Sequence, residues 1–170
     1  MKLLKLIRKL RERLLINLVE HTKPFYVKYF KKDQKAWQQN INTLKRFPQK
    51  TLGSSLGLFL EQEGFKLMPK LENHDVLHVL LNYKATVDGE VKMQFFLLGN
   101  RKRSWYALFT VIVGVCLVPE RLKAFFKEYK KGRRCVNISN WNFEHLLCEP
   151  IGLLQKQIFG EPLKNQKFII

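Results

Sequence analysis

The sequence predicts an all-α fold, a single-domain bundle of about eight to ten helices, on three observations. Apolar residues recur at spacings of three and four along most of the 170-residue chain. Residues that start and stop helices bracket these stretches. No stretch alternates apolar and polar residues as a half-buried strand would, and neither an internal repeat nor a low-complexity segment is present. At 46% hydrophobic, a chain of this length can bury one sizeable core.

The first segment, 1–22, reads as a basic amphipathic helix. Leu3, Ile7, Leu10, Leu14 and Leu18 form one stripe, with Lys2, Lys5, Arg8, Lys9, Arg11 and Arg13 between them. Those cations leave no uninterrupted apolar core, which excludes a secretory signal. Such a helix can pack on a core or lie at an anionic membrane surface with its cations among the headgroups. The remaining residues, 23–170, form the expected helical domain.

That domain opens with Lys23, Lys28, Lys31, Lys32 and Lys35 interleaved with Phe25, Tyr26, Tyr29, Phe30 and Trp37. The mixture suits a lipid interface or a nucleic-acid surface. The nucleic-acid reading is set aside because no known binding module matches and the aromatics follow helical burial spacing. Asp33 is placed to cap a helix over 35–46 that ends before Pro48. Thr51 caps the next, Leu52 to Glu63, closed by Gly64.

A helix follows Pro69 and runs to about Asn82. A turn within Lys84–Gly89, with Thr86 or Asp88 as cap, leads into Val91–Leu98. Ser104–Leu117 and Pro119–Lys131 follow, with Pro119 at a first helical position and Gly132 just past an end. Two shorter helices over 140–147 and 150–159 close the order, stopped by Gly160 and Pro162. The apolar run from Trp105 to Val118 is 14 residues long. That is short of the roughly 20 needed to span a bilayer, so it reads as a buried helix.

The densest chemistry lies in the helix after Pro69. His74-Asp75-Val76-Leu77-His78 is followed by Glu90 after eleven residues, the pattern H-D-x-x-H-x11-E. On a helix, His74 and His78 stand one turn apart on one face, with Asp75 on its edge. Val76, Leu77, Val79, Leu80 and Leu81 place this polar group on a helix that is otherwise buried, where an imidazole–carboxylate cluster needs a partner such as a divalent cation. On an unbroken helix Glu90 would face away, so the turn after Asn82 is what lets it fold back. His74, Asp75, His78 and Glu90 are the expected metal ligands.

Charge follows the same division. Lys and Arg outnumber Asp and Glu by 14 to 3 in residues 1–50 and by 11 to 2 in 91–140, but are outnumbered 3 to 6 in 51–90. The motif is the acidic island of a chain carrying +17. A cation inside and an anionic partner outside fit that distribution. Cys116, Cys135 and Cys148 are odd in number and show no C-x-x-C spacing, as expected of reduced thiols in the cytosol. His21 and His145 read as surface or capping residues.

Three segments in this order resemble the coenzyme Q biosynthesis protein 4 family. They are the signature itself, the helix start Thr51-Leu52-Gly53-Ser54-Ser55-Leu56-Gly57, and Trp141-Asn142-Phe143-Glu144 leading into Glu149-Pro150-Ile151. The first is highly specific, the other two are loose, and together they cover about residues 25–160. The resemblance implies an all-helical protein whose signature residues bind a divalent cation. It implies action at a membrane surface on a polyprenylated ring precursor of ubiquinone, with removal of the C1 carboxylate coupled to hydroxylation there. The chain would then be a metal-dependent oxidative decarboxylase.

Two imidazoles and two carboxylates suit Zn²⁺, Fe²⁺ or Mn²⁺, with Mg²⁺ as a further candidate. Glu90 and Asp75 are the expected catalytic carboxylates, Glu90 as acid or base. No flavin or nicotinamide motif is present, so the oxidant comes from oxygen or a partner. Trp105–Val118, with Phe95, Phe96, Leu97 and Leu98 before it, is the apolar wall on which an isoprenoid tail would lie.

The expected partners are a polyprenylated quinone precursor or isoprenoid lipid, an anionic membrane surface, other quinone biosynthesis enzymes, and a second copy of the chain in a homodimer. The expected location is cytoplasmic and peripheral at the inner membrane face, on the matrix side in a eukaryote. The alternative is a non-catalytic isoprenoid-binding scaffold that organises those enzymes. An HD-type phosphohydrolase is disfavoured, because no Asp follows Asp88 and the nearest upstream His is His21.

Overall fold

The computed structural model describes residues 34–102 and 104–160, together with Leu10, Arg11, Arg13, Leu14, Asn17, His21, Phe25, Val27, Lys28, Tyr29, Lys31 and Lys32. Most of the helix expected over 1–22, the Asp33 cap and the Pro162 stop lie outside these residues. The fold is all-α. Within residues 34–160 the helices are α1 (Ile41–Lys45), α2 (Leu52–Glu63), α3 (Glu72–Leu81), α4 (Val87–Gly99), α5 (Trp105–Leu117), α6 (Leu122–Arg134) and α7 (Ile151–Phe159), with 3-10 turns at Pro119–Arg121 and Phe143–Leu146. Among the described residues the sole strand-like pairing is an isolated bridge between Thr51 and Pro150. None of their helices is long and apolar enough to cross a membrane.

Contacts gather in two units, one holding α1, α2, α3 and α7, the other α4, α5 and α6. In the first, α1 is shorter than the helix expected over 35–46 and starts late. Asn40 forms a capping box with Thr43, accepting from its backbone N–H and donating its own to the Thr43 hydroxyl at 2.8 Å. A short polar side chain that satisfies the first turn outcompetes helix continuation through 34–40. Helix α2 has the expected bounds. Thr51 accepts from Ser54 N–H at its start, and Gly64, with φ 67°, ends it in the left-handed region.

The two loose sequence segments meet at that start. Leu52 N–H donates to Glu149 O (2.9 Å), Gly53 N–H to Leu147 O (2.8 Å), and Ile151 N–H to Lys50 O (2.9 Å). First-turn amides of α2 and α7 thus find partners outside their own helices. Leu44, Leu52, Leu56, Leu60, Val76, Leu77, Leu80, Ile151, Leu154 and Ile158 are buried in this unit. Buried Gln155 donates from its side-chain amide to Leu80 O, tying α7 to the end of α3.

In the second unit, Thr86 caps α4 by accepting from Gly89 N–H, so the helix begins at Val87 rather than Val91 and Glu90 lies inside its first turn. Asp88, on the same turn, pairs with Lys92 (2.6 Å) and Arg121 (2.9 Å). Its charge also complements the helix N-terminus. Val91, Phe95, Val118 and Phe125 form the buried centre, with Phe95 and Phe125 stacked at 5.2 Å.

Gly132 was expected to end a helix, yet it lies within α6. A Cβ there would collide with Phe96 O, and one at Gly99 with Tyr129 O. The two glycines let α4 and α6 cross backbone to backbone, and the Asn100 side chain fastens the crossing by donating to Gly132 O. Gly132 is therefore a packing residue, and α6 runs on to Arg134.

Helix α5 departs furthest from expectation. Its apolar run reads as buried, but Trp105 is 70% exposed and Ile112 54%, with Leu108, Phe109 and Cys116 also exposed. Residues 105, 108, 109, 112 and 116 share one helical face. The opposite side holds buried Ala107, Thr110 and Gly114, the last against Val91. On α6 the exposed positions are Lys123, Phe126, Lys127, Lys130, Arg133 and Arg134.

Candidate metal centre

The centre is built on two consecutive helices and the turn between them. Glu72 and Asp75 lie in the first turn of α3, where carboxylates complement the helix dipole. Glu72 is buried and accepts from the Trp37 backbone N–H at 2.9 Å, fastening the chain before α1 to the start of α3. At the other end Asn82 takes the left-handed conformation (φ 59°) and its N–H bonds His78 O, with Tyr83 N–H adding a second bond to that oxygen at 3.0 Å. Asparagine is one of the few residues that adopts this geometry cheaply. The chain then turns at 83–86 and re-enters helix at Val87.

The same turn sets the chemistry of His78. Its Nδ1 lies 3.1 Å from Tyr83 O. A carbonyl oxygen can only accept, so Nδ1 carries a hydrogen and Nε2 is the ring atom through which an ion could be bound. The ring is 5% exposed and stacks on Phe59 of α2, centroids 5.8 Å apart and planes within 16°. His74, one turn earlier, meets the His78 ring edge to face at 4.9 Å. Its Nδ1 lies 3.4 Å from Asp75 Oδ1, a long contact that again favours the hydrogen on Nδ1.

Glu90, from the first turn of α4, completes the group. His74, His78 and Glu90 each offer one ligand atom, and these atoms lie within 4.8 Å of one another. Asp75, expected in the same set, is not among the three and meets them through His74. On the Glu90 side, Gln94 donates from Nε2 to Oε1 at 2.8 Å. Gln94 is 2% exposed.

The sequence reading missed Gln94, the Tyr83 carbonyl and the Phe59 ring. The first had a signal, since position 94 is one helical turn past Glu90. A backbone carbonyl and a stacking ring from another helix leave no local trace. His21 and His145 are exposed, as expected, and His21 bonds Asn17 O. None of the three cysteines is in a disulfide.

Two imidazoles and a carboxylate are a donor set used by Zn²⁺ hydrolases and by non-haem Fe²⁺ sites. Hydrogen bonds from the second ring nitrogen to a carboxylate or carbonyl are the usual companions of a metal-ligating histidine, and both rings have one. Fold and cluster together define an all-helical protein with a centre suited to a divalent ion.

The chain belongs to the family described as "Coenzyme Q (ubiquinone) biosynthesis protein Coq4", whose family model matches residues 67–162. The match takes in α3 to α7 and all four signature residues, while the Thr51–Gly57 segment lies outside it, and it supports a role in coenzyme Q biosynthesis. A crystal structure of a protein from Nostoc punctiforme PCC 73102, described as a candidate ubiquinone biosynthesis protein, is similar at a TM-score of 0.57. It is 17% identical, over 88% of this chain and 81% of that one, a likeness that shows the fold alone. No curated protein matches the sequence.

Proposed function

We propose that this protein binds a divalent metal ion through His74, His78 and Glu90 and acts on a polyprenylated aromatic precursor in coenzyme Q biosynthesis, at a membrane surface. The observation that carries the reading is the close approach of the three ligand atoms, with the histidines held through Nδ1. A bound ion would supply Lewis acidity toward a ring carboxylate or phenolate, favouring the negative charge that develops as CO₂ departs. The chain's own contribution is to fix the donors. Tyr83 O and Asp75 hold the imidazoles, and the buried side of His78 against Phe59 keeps water from that face.

With Glu90 engaged at an ion, Asp75, partly exposed beside His74, would be the carboxylate that exchanges a proton with substrate. Hydroxylation at the vacated carbon needs an external oxidant, from oxygen or a partner enzyme.

The membrane part of the reading is supported by α5 and α6. A helix hydrophobic all round is normally buried, yet α5 presents Trp105, Leu108, Phe109 and Ile112 outward. Helix α6 adds exposed Lys123, Lys127, Lys130, Arg133 and Arg134. Apolar side chains inserted at the headgroup level and cations among anionic lipids are the two ingredients of interfacial binding.

The test is metal analysis of the purified chain together with mass spectrometry of co-purified lipid. About one Zn²⁺, Fe²⁺ or Mn²⁺ per chain, lost in His78→Ala, and an isoprenoid-bearing aromatic among the lipids are expected. Equal metal content in wild type and His78→Ala would overturn the metal assignment.

A further inference from the structure

We infer that Gln94 is a positioning residue for Glu90, holding one carboxylate oxygen so that the ion is met by the other. The inference rests on the metal reading above and extends it to a residue outside the signature. Gln94 is a buried polar side chain on the most thoroughly buried helix of its unit, where Val91, Met93, Phe95, Phe96 and Leu97 are all 4% exposed or less. Burying an amide among such neighbours is costly unless it is hydrogen-bonded. Its bond is to Glu90 Oε1, at 2.8 Å and one helical turn away.

A glutamine–carboxylate pair at this spacing on a helix surface would add only a few tenths of a kcal/mol. Because Glu90 is partly exposed and can take water in place of the amide, an apolar residue of similar volume at position 94 would serve the fold about as well. Gln94 therefore contributes little to the fold that leucine or methionine would not. Its amide can instead fix the carboxylate. With Oε1 accepting from Gln94, rotation about the last side-chain bond of Glu90 would be restrained, and the carboxylate would meet an ion through its other oxygen. A one-oxygen Glu90 and two Nε2 donors make a compact three-ligand set, which suits Zn²⁺ or Co²⁺ better than a cation seeking six to eight oxygens.

The three ligands then share one construction. Each has a neighbour in its own segment that occupies the non-ligating atom: Asp75 for His74, Tyr83 O for His78, Gln94 for Glu90. Such partners typically change metal affinity by 10–100-fold when removed.

The experiment uses the full chain, stripped of metal by chelation, in five forms: wild type, His78→Ala, Glu90→Gln, Gln94→Leu and Gln94→Met. Zn²⁺ affinity is read by calorimetry, the ligand field by the visible absorption of added Co²⁺, and metal-free stability by thermal unfolding. Both Gln94 variants should bind Zn²⁺ about 10–100-fold more weakly and alter the Co²⁺ spectrum, yet unfold without metal at or above the wild-type temperature. A role confined to packing predicts the reverse, lower metal-free stability with affinity and spectrum unchanged. That result, or failure of both variants to fold, overturns the inference. If wild type binds no Zn²⁺, or His78→Ala and Glu90→Gln bind as tightly as wild type, the metal reading itself falls. If those two lose the ion while both Gln94 variants keep wild-type affinity, only the role of Gln94 falls.

Discussion

Helices α4 and α5 are consecutive, equally long and both strongly apolar, but they use their side chains in opposite ways. In α4 the apolar residues are buried nearly all round and the polar ones are paired, Asp88 with Lys92 and Arg121, Glu90 with Gln94. In α5 the side toward the core holds small or short residues, Ala107, Thr110 and Gly114, while Trp105 and Ile112 stand in solvent. Apolar content alone would put the more apolar α5 deeper than α4, and the structure does the opposite. Burial depends on what neighbours are available to cover a face, and α4 has α6 against it at the Gly99–Gly132 crossing.

The largest effect expected from breaking this contrast is at Phe96, fully buried in α4. Phe96→Ala should lower unfolding free energy by about 3–5 kcal/mol in urea titrations. A loss below about 1 kcal/mol would mean that α4 is not the covered helix described above. On α5 the same kind of change should act elsewhere. Ile112→Ser is expected to alter stability by less than about 0.5 kcal/mol, while lowering partition onto anionic vesicles by roughly tenfold in a flotation assay. Unchanged flotation would remove α5 from the membrane reading.

The smallest effect concerns Lys102, in the link between the two helices. Burial, and then the nearby Lys31, lower its pKa from 10.5 to about 8. Because the charged form is disfavoured in the folded chain, the cost to folding is fully present below pH 8 and is relieved as pH rises towards 10.5. Lys102→Met should therefore raise the melting temperature at pH 7, with the gain shrinking as pH rises through that window. A gain equal at pH 7 and pH 10.5 would point to packing instead of charge.

The candidate site was legible to the extent that its chemistry is local. His74 and His78 are one turn apart on any helix, and the turn that brings Glu90 back was marked by Asn82 and Thr86, each doing what its side chain favours. Asp75 was readable as a neighbour of the histidines, but its place beside His74 rather than among the three clustered ligand atoms depends on side-chain direction. The expected start of α4 is four residues late, because Thr86 and Asp88 were both cap candidates and the helix was not extended back to Thr86, the residue that caps it.

Where residues act on their own backbone, the sequence alone determined the outcome: Thr51 and Gly64 bound α2, and Gly160 ends α7 with φ 79°. Those choices depend on one or two dihedrals and one hydrogen bond, all encoded within a few positions. Only the tertiary structure decided that Gly132 admits a crossing helix instead of ending one, that Thr51–Gly57 receives the carbonyls of 147–149, and that the most apolar helix turns an apolar face outward. Each of these rests on which distant segment arrives at a surface, and a surface takes its neighbour by shape and area, properties that no single stretch of chain contains.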